Sequence, residues 1–339
     1  MSKLDYEVKG KVAIITGAGS GINLALATLL LSKGCNVVIA DLALLPPAAQ
    51  LLITYTAAGP DKPSCLYHVT DVTDWSALSS LFSFTLSHFH QIDILVPGAG
   101  VFDPPSSNFY NPPGTPHSSD TIEKSTYRTL EVNITHPIRL TQMGVEYWVK
   151  EKRPGRVVCV SSIAGQISVM ETPLYHASKF AVTGFVRSTK NLQELGIRVV
   201  GIAPGVVQVG LGLLFVATEK CPETPIWSSQ PDKMQMLTSD QKWITPETTA
   251  EAMLDLLMKE EYVGGTILEV SGSGLRVVKE LGYIQDEGPT WEEGYMIGNL
   301  EGYKEEIYKG LREGKVGDSG KHNSLSVSTS HDLSKSVHT

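Results

Sequence analysis

Apolar residues cluster in short unbroken runs, separated by stretches of helical periodicity, across the first 200 residues. The run at 12–16 reads as a buried strand, and residues 21–33 as a helix that Gly34 closes. The alternation continues with a strand at 37–40, a helix around 46–58, a strand at 65–69 and a helix from an Asp74 cap to about residue 88. It goes on through strand 92–96, a long helix within 121–150, strand 156–161, helix 173–195 and strand 198–202. A last helix and strand are expected at about 246–259 and at 266–270. Such strands, alternating with helices, predict an α/β fold: one doubly wound parallel sheet of about seven strands with helices on both faces. Crossovers are expected to be right-handed. Ligands of such sheets bind outside the carboxyl ends of the strands, so the residues just after each strand carry the chemistry.

Two segments break the alternation. Residues 102–125 are rich in proline and serine, a loop longer than compact domains usually carry, hence either functional or loosely ordered. Residues 285–339 read as an extension to a catalytic domain spanning 1–284, with a helix expected over 303–312 and disorder from about 313, where little can be buried. A chain of 339 residues, 42% hydrophobic and 19% charged, can bury a sizeable core. Its net charge of -8 argues against a general nucleic-acid or anionic-membrane surface. The four widely spaced cysteines point to a reduced protein, and the nine histidines form no metal-binding pattern. The first residues are polar and no run is long and apolar enough to span a bilayer, so a cytoplasmic protein is expected.

The run at 12–16 leads directly into Gly17-Ala18-Gly19-Ser20-Gly21-Ile22 and then a helix. Glycines let the backbone approach a pyrophosphate, and the helix terminus offers free N–H groups. The next strand ends at Asp41, placed to accept hydrogen bonds from a ribose diol and to repel a 2′-phosphate. Ala18, Ser20 and Leu42 offer that phosphate no basic group, so NAD is favoured over NADP. Asp41 also fits a solvated loop acid or helix cap. Asp71-Val72 follows the third strand, near an adenine or as a turn residue, and Pro97-Gly98-Ala99-Gly100 follows the fourth. Tyr175 and Lys179 lie four apart on one helix, with Ser162 upstream. An ammonium about 4 Å from a phenol, at an effective dielectric near 20, favours the phenolate by roughly 4 kcal/mol, or ~3 pH units. That would make Tyr175 a general acid/base. By itself the pair fits a solvated helix face equally well.

Taken in order, Thr16-Gly17-Ala18-Gly19-Ser20-Gly21, Asp71, Ala99-Gly100, Asn133, Ser161-Ser162, Tyr175-x-x-x-Lys179 and Pro204-Gly205 resemble the classical short-chain dehydrogenase/reductase family, over residues 10–276. Asn133-Ile134-Thr135-His136-Pro137 and Asp41 are most similar to its NAD-dependent 15-hydroxyprostaglandin dehydrogenase-like members. The resemblance implies a Rossmann-type fold and four catalytic residues: Tyr175 exchanging a proton with the substrate oxygen, Ser162 hydrogen-bonding that oxygen, Lys179 tuning the phenol and holding the nicotinamide ribose, and Asn133 supporting a water relay. It implies cofactor contacts from Gly17, Gly19, Ser20, Gly21, Ile22, Asn23, Asp41, Asp71, Val72, Ala99, Gly100, Tyr175, Lys179, Pro204, Gly205, Val206 and Val207. It also implies a homodimer or homotetramer. There are three departures from the pattern: Asn23 replaces a glycine, a place from which it could donate to the pyrophosphate, Pro97-Gly98 replaces an Asn-Asn pair, and Val209 replaces a threonine.

The implied reaction is hydride transfer between a secondary alcohol and nicotinamide, and no metal is called for. Residues 206–243 carry Leu211, Leu213, Leu214, Phe215, Ile226, Trp227, Met234, Met236 and Trp243, which with the 102–125 loop would suit an apolar small molecule of lipid, polyketide or terpenoid size. The same residues also fit a lid or a subunit interface. Two other readings keep the fold: a non-redox NAD-binding sensor, and an isomerase or cyclase.

Overall fold

In the computed structural model, which describes residues 5–56, 62–207, 236, 242–280 and 300–314, the expected alternation is realised. Strand β1 (Val12–Thr16) is followed by helix α1 (Gly21–Ser32), β2 (Asn36–Asp41), α2 (Pro46–Thr56), β3 (Cys65–Val69) and α3 (Trp75–Phe89). Then come β4 (Ile94–Val96), α4 (Arg128–Leu130), α5 (His136–Lys150), β5 (Gly155–Val160), α6 (Pro173–Ser188), β6 (Ile197–Pro204), α7 (Pro246–Met258), β7 (Ile267–Ser271) and β8 (Gly274–Val277). The sheet order is β3-β2-β1-β4-β5-β6-β7-β8. Pairing is parallel except for β8, which runs antiparallel to β7. This eighth strand is exposed along its whole length and follows a polar glycine turn, so it lacks the apolar run that marks the other seven.

The order reverses at β1 and β4, which opens a crevice at their carboxyl ends. Leu26 and Leu30 of α1 share a core with Met253 and Leu257 of α7, placing both helices on one face. The β1-to-β2 and β6-to-β7 steps run in opposite directions across the sheet. With their helices on the same face the two crossovers have opposite hands, so uniform right-handedness does not hold.

Local chemistry sets several boundaries. Asp74 caps α3 by accepting from the Ser76 N–H at 2.8 Å. The strand expected at 92–96 shortens to β4 because the Asp93 carboxylate takes the Val12 N–H (2.9 Å) and Trp148 Nε1 donates to the Ile92 carbonyl (2.7 Å). The helix expected within 121–150 starts at Arg128, whose N–H donates to Asp120 (2.9 Å), and passes through one π-helical turn, Glu131–Thr135. The helix expected over 173–195 ends at Ser188 and continues as a 3₁₀ segment, Lys190–Leu195. The proline-rich loop is tied down: the Thr129 N–H donates to Ser107 Oγ (3.0 Å), and the Tyr110 hydroxyl donates to the Met170 carbonyl (2.7 Å).

The chain divides into two compact units, Met1–Gly288 and Pro289–Thr339. The second contains α8 (Leu300–Glu313), where a helix was expected over 303–312. The disorder expected from about 313 falls on residues almost wholly outside the described ones, as do Val209, Leu211, Leu213, Leu214, Phe215, Ile226, Trp227 and Met234. Among the described residues no helix is long and apolar enough to cross a membrane, and no group of three His, Cys, Asp or Glu side chains could hold a metal.

Candidate active site

A cavity of about 700 Å³ lies along the carboxyl ends of the strands, from Asp41 and Leu42 at one end to Tyr175, Lys179 and Pro204–Val207 at the other. All the residues expected to bind cofactor line it except Gly19, which stands behind the wall. The turn after β1 is built for close approach. Gly17 has φ +71, and a Cβ there would lie 2.6 Å from the Ala99 Cα. Asp41 Oδ2 accepts from the Gly19 N–H at 2.8 Å and Oδ1 from the Leu42 N–H at 2.7 Å. Burial raises the Asp41 pKa, and these backbone donors oppose the rise. The cradle that side chains would fill, the free helix terminus and the carboxylate at its far end fit an extended dinucleotide.

Asp71 is less available than its position suggested. Its Oδ1 accepts from the Thr73 N–H (3.0 Å) and hydroxyl (2.8 Å), and its Oδ2 pairs with Arg128 (3.1 Å). Burial works to raise its pKa, but Thr73 and Arg128 together hold the carboxyl below its ordinary value. Val72 beside it lines the cavity. Asn23 does not offer its amide to the cleft either: Nδ2 donates to the Gly98 carbonyl (2.9 Å) and the Gly17 carbonyl (3.3 Å).

Ser162, Tyr175 and Lys179 converge at the other end. Ser162 follows β5, accepts from the Ala164 N–H (3.2 Å), donates to the Pro204 carbonyl (3.4 Å) and hydrogen-bonds the Tyr175 phenol. Lys179 is buried and its Nζ donates to the Val160 carbonyl at 2.8 Å. Asn133 stands behind the wall, inside the π-helical turn. Its Oδ1 accepts from the Val101 N–H (2.9 Å), and its Nδ2 donates to the Val101 carbonyl (2.9 Å) and to Ser178 Oγ (3.1 Å). The side chain thus braces the loop after β4 with both amide protons and one of the two acceptor sites of its oxygen.

Burial dominates the electrostatics at this end of the cleft. Burial pushes the Tyr175 phenol above its ordinary pKa, the Asp103 carboxylate adds to the rise, and the hydrogen bond with Ser162 opposes it. The Lys179 Nζ lies over the tyrosine ring, 5.4 Å from its centre. Burial also lowers the Lys179 ammonium to about 8. Burial makes each of the two groups lean to its neutral form.

Four residues given no individual role by the sequence shape this site. The Phe102 and Tyr175 rings make an edge contact with centroids 4.6 Å apart. Asp103 is buried at φ 36, on the loop that carries Phe102. Arg128 reaches Asp71. His136 is fully buried, with Nε2 3.1 Å from Thr16 Oγ1 and Nδ1 3.2 Å from the Val132 carbonyl. Thr16 Oγ1 in turn accepts from the Gly98 N–H at 2.9 Å. Phe102 and Asp103 open the 102–125 loop expected to wall the substrate, but neither carried an individual role.

A family model for short chain dehydrogenases matches residues 11–214. The 15-hydroxyprostaglandin dehydrogenase [NAD(+)] of Mus musculus is 29% identical over 271 residues, covering 78% of this chain and 91% of that protein. Short-chain dehydrogenase reductase 5 of Arabidopsis thaliana is 32% identical over 272 residues, covering 80% of this chain and 96% of its own length. Among solved structures, the 3-ketoacyl-(acyl-carrier-protein) reductase from Brucella melitensis complexed with NADH has a similar fold at 22% identity, TM-score 0.58, covering 78% of this chain and 98% of that one. The ordered motifs, the strand-end cleft and the family match agree: the chain belongs to the short chain dehydrogenases.

Proposed function

We propose that this dehydrogenase uses NAD in preference to NADP to interconvert a secondary alcohol and a ketone on an apolar small molecule. The observation that carries the reading is the cleft itself, with the Asp41 carboxylate at one end and Ser162, Tyr175 and Lys179 together at the other. A half-buried carboxylate disfavours a 2′-phosphate, and the relative named above is an NAD(+) enzyme. Bound NAD supplies the hydride acceptor. Tyr175 then exchanges a proton with the substrate oxygen at its phenolic Oη, and Ser162 holds the same oxygen by a hydrogen bond. Lys179 contributes positive charge beside the phenol. Its burial at 5% exposure strengthens that effect while it stays protonated. Asn133 keeps the Val101 backbone, and with it the wall of the site, in place.

Phe102, Ile167, Val169 and Met236 give the substrate end an apolar lining. Ile138 on α5 and Phe180 on α6 are exposed, at 41% and 45%, which supports a homodimer or homotetramer packed through these helices. Free buried Cys35, Cys65 and Cys159 suit a cytoplasmic enzyme. A screen of apolar secondary alcohols with NAD, and ketones with NADH, followed at the reduced-nicotinamide absorbance, tests the proposal. Turnover abolished in Tyr175→Phe supports it. Wild-type rates in that variant, or tighter binding of NADP than of NAD, overturn the corresponding part.

A further inference from the structure

Asn23 and Gly98 occupy one another's space. Asn23 sits in the first turn of α1 and is 5% exposed. Gly98 lies on the loop after β4. A Cβ built on Gly98 would lie 2.6 Å from both Cγ and Nδ2 of Asn23 and closer still to Oδ1. Real side chains do not tolerate such distances, and a planar amide held by two hydrogen bonds has little freedom to retreat. Residue 98 therefore has no side chain because the side chain of residue 23 fills its place.

The amide that fills this space ties together two loops of the cleft. Its Nδ2 bonds the Gly17 carbonyl in the turn after β1 and the Gly98 carbonyl in the loop after β4. Gly98 is held from its other side as well, by its N–H on Thr16 Oγ1. From Gly98 the chain passes through Ala99 and Gly100 to Val101, clasped by Asn133, and to Phe102 against Tyr175. Asn23 Oδ1 is buried and has no hydrogen-bond partner among the described residues. The donor half of the amide does the joining, and the oxygen rests against the bare Gly98 backbone.

We propose that Asn23 is a cofactor-positioning residue: a brace, donated by α1, that fixes the loop after β4 against the dinucleotide-binding turn and requires glycine at position 98. The inference rests on the dinucleotide reading of the cleft but not on any substrate. It also accounts for two departures from the family pattern at once, since an amide is gained at 23 where one is absent at 98.

The test is a cycle of variants in the full-length protein, read by NAD affinity in titration calorimetry and by the melting temperature without cofactor. Asn23→Ala keeps a strong helix former in α1, so the fold is retained while two buried carbonyls lose their donor. NAD binding is expected to weaken about ten-fold, by the loss of orientation of the cradle. Gly98→Ala is expected to weaken it at least as much, by the clash with the Asn23 amide. In Asn23→Gly the same Gly98→Ala change should cost less than about three-fold, because the space is vacant. Asn23→Gly/Gly98→Asn, which returns an amide from the opposite side, should bind NAD more tightly than Asn23→Gly alone. Unchanged NAD affinity in a folded Asn23→Ala protein overturns the brace. An equal Gly98→Ala penalty in both backgrounds overturns the shared space. Failure of the wild-type protein to bind NAD would instead overturn the reading of the cleft.

Discussion

The rings of Phe102 and Tyr175 stand at 88° with their centroids 4.6 Å apart. Phe102 is 5% exposed, so the phenol is held by a buried aromatic edge on one side and by Ser162 on another. The contact joins the loop after β4 to the helix that carries Tyr175 and Lys179. Replacing Phe102 by alanine removes both the edge contact and part of the barrier to water. It should lower kcat about ten-fold while leaving NAD affinity within about two-fold. Steady-state kinetics beside an NAD titration check it.

Removing the phenolic oxygen removes the proton-transfer group. Tyr175→Phe should lower kcat by roughly 10³-fold, and Ser162→Ala by roughly 10²-fold, with the melting temperature little changed in either. Single-turnover measurements with NAD and a secondary alcohol separate these losses from binding.

The buried Lys179 ammonium gives a pH signature. Its pKa falls from 10.5 to about 8, so its positive charge is present below that pH and lost above it. The phenol, raised above its usual pKa of 10, stays protonated over the same range and remains a competent acid. Ketone reduction should therefore show kcat/KM declining as pH rises through about 8, and Lys179→Met should be slow at every pH. A profile for the wild-type enzyme that stays level to about pH 10 contradicts this assignment.

Burial lowers the His136 pKa from 6.5 to about 4. Between those values the unfolded chain binds a proton that the folded chain does not. Stability is then fully present above 6.5 and is lost as pH falls toward about 4. Because the His136 ring also bonds Thr16, His136→Gln should melt lower at neutral pH yet lose less stability on acidification. Melting temperatures across this window provide the comparison.

The Asp41 carboxylate has two tasks, holding the Gly19 N–H and disfavouring phosphate. Asn keeps an acceptor for that N–H and removes the charge. Asp41→Asn should therefore narrow the preference for NAD over NADP by about ten-fold or more. Competitive binding of the two cofactors measures the ratio.

Secondary structure was legible where the chain is apolar on both faces of a strand, as in Val12–Thr16 and Ile197–Pro204. It was less legible at β8, whose exposed residues carry no burial pattern, and at the start of α4, which depends on the Asp120 carboxylate reaching forward to Arg128. The two crossover hands were also hidden, because nothing local in α7 says which face of the sheet it covers.

By itself the sequence determined the order of strand-end motifs, and with it the family and the cleft residues from Gly17 to Val207. Some of those residues are named by short-range chemistry, namely glycines that permit a turn, an acid at a strand end, and a tyrosine and lysine on one helix face; Pro204–Val207 are named by the family resemblance alone. Only the tertiary structure decided what each side chain spends its hydrogen bonds on. It turned Asn23 onto Gly17 and Gly98, Asn133 onto Val101, and Asp71 onto Arg128. It also buried Tyr175 and Lys179, and burial pushes the phenol up and the ammonium down. Helical spacing fixes that the two side chains share a face, but their charge states depend on burial by distant segments, which no local pattern encodes.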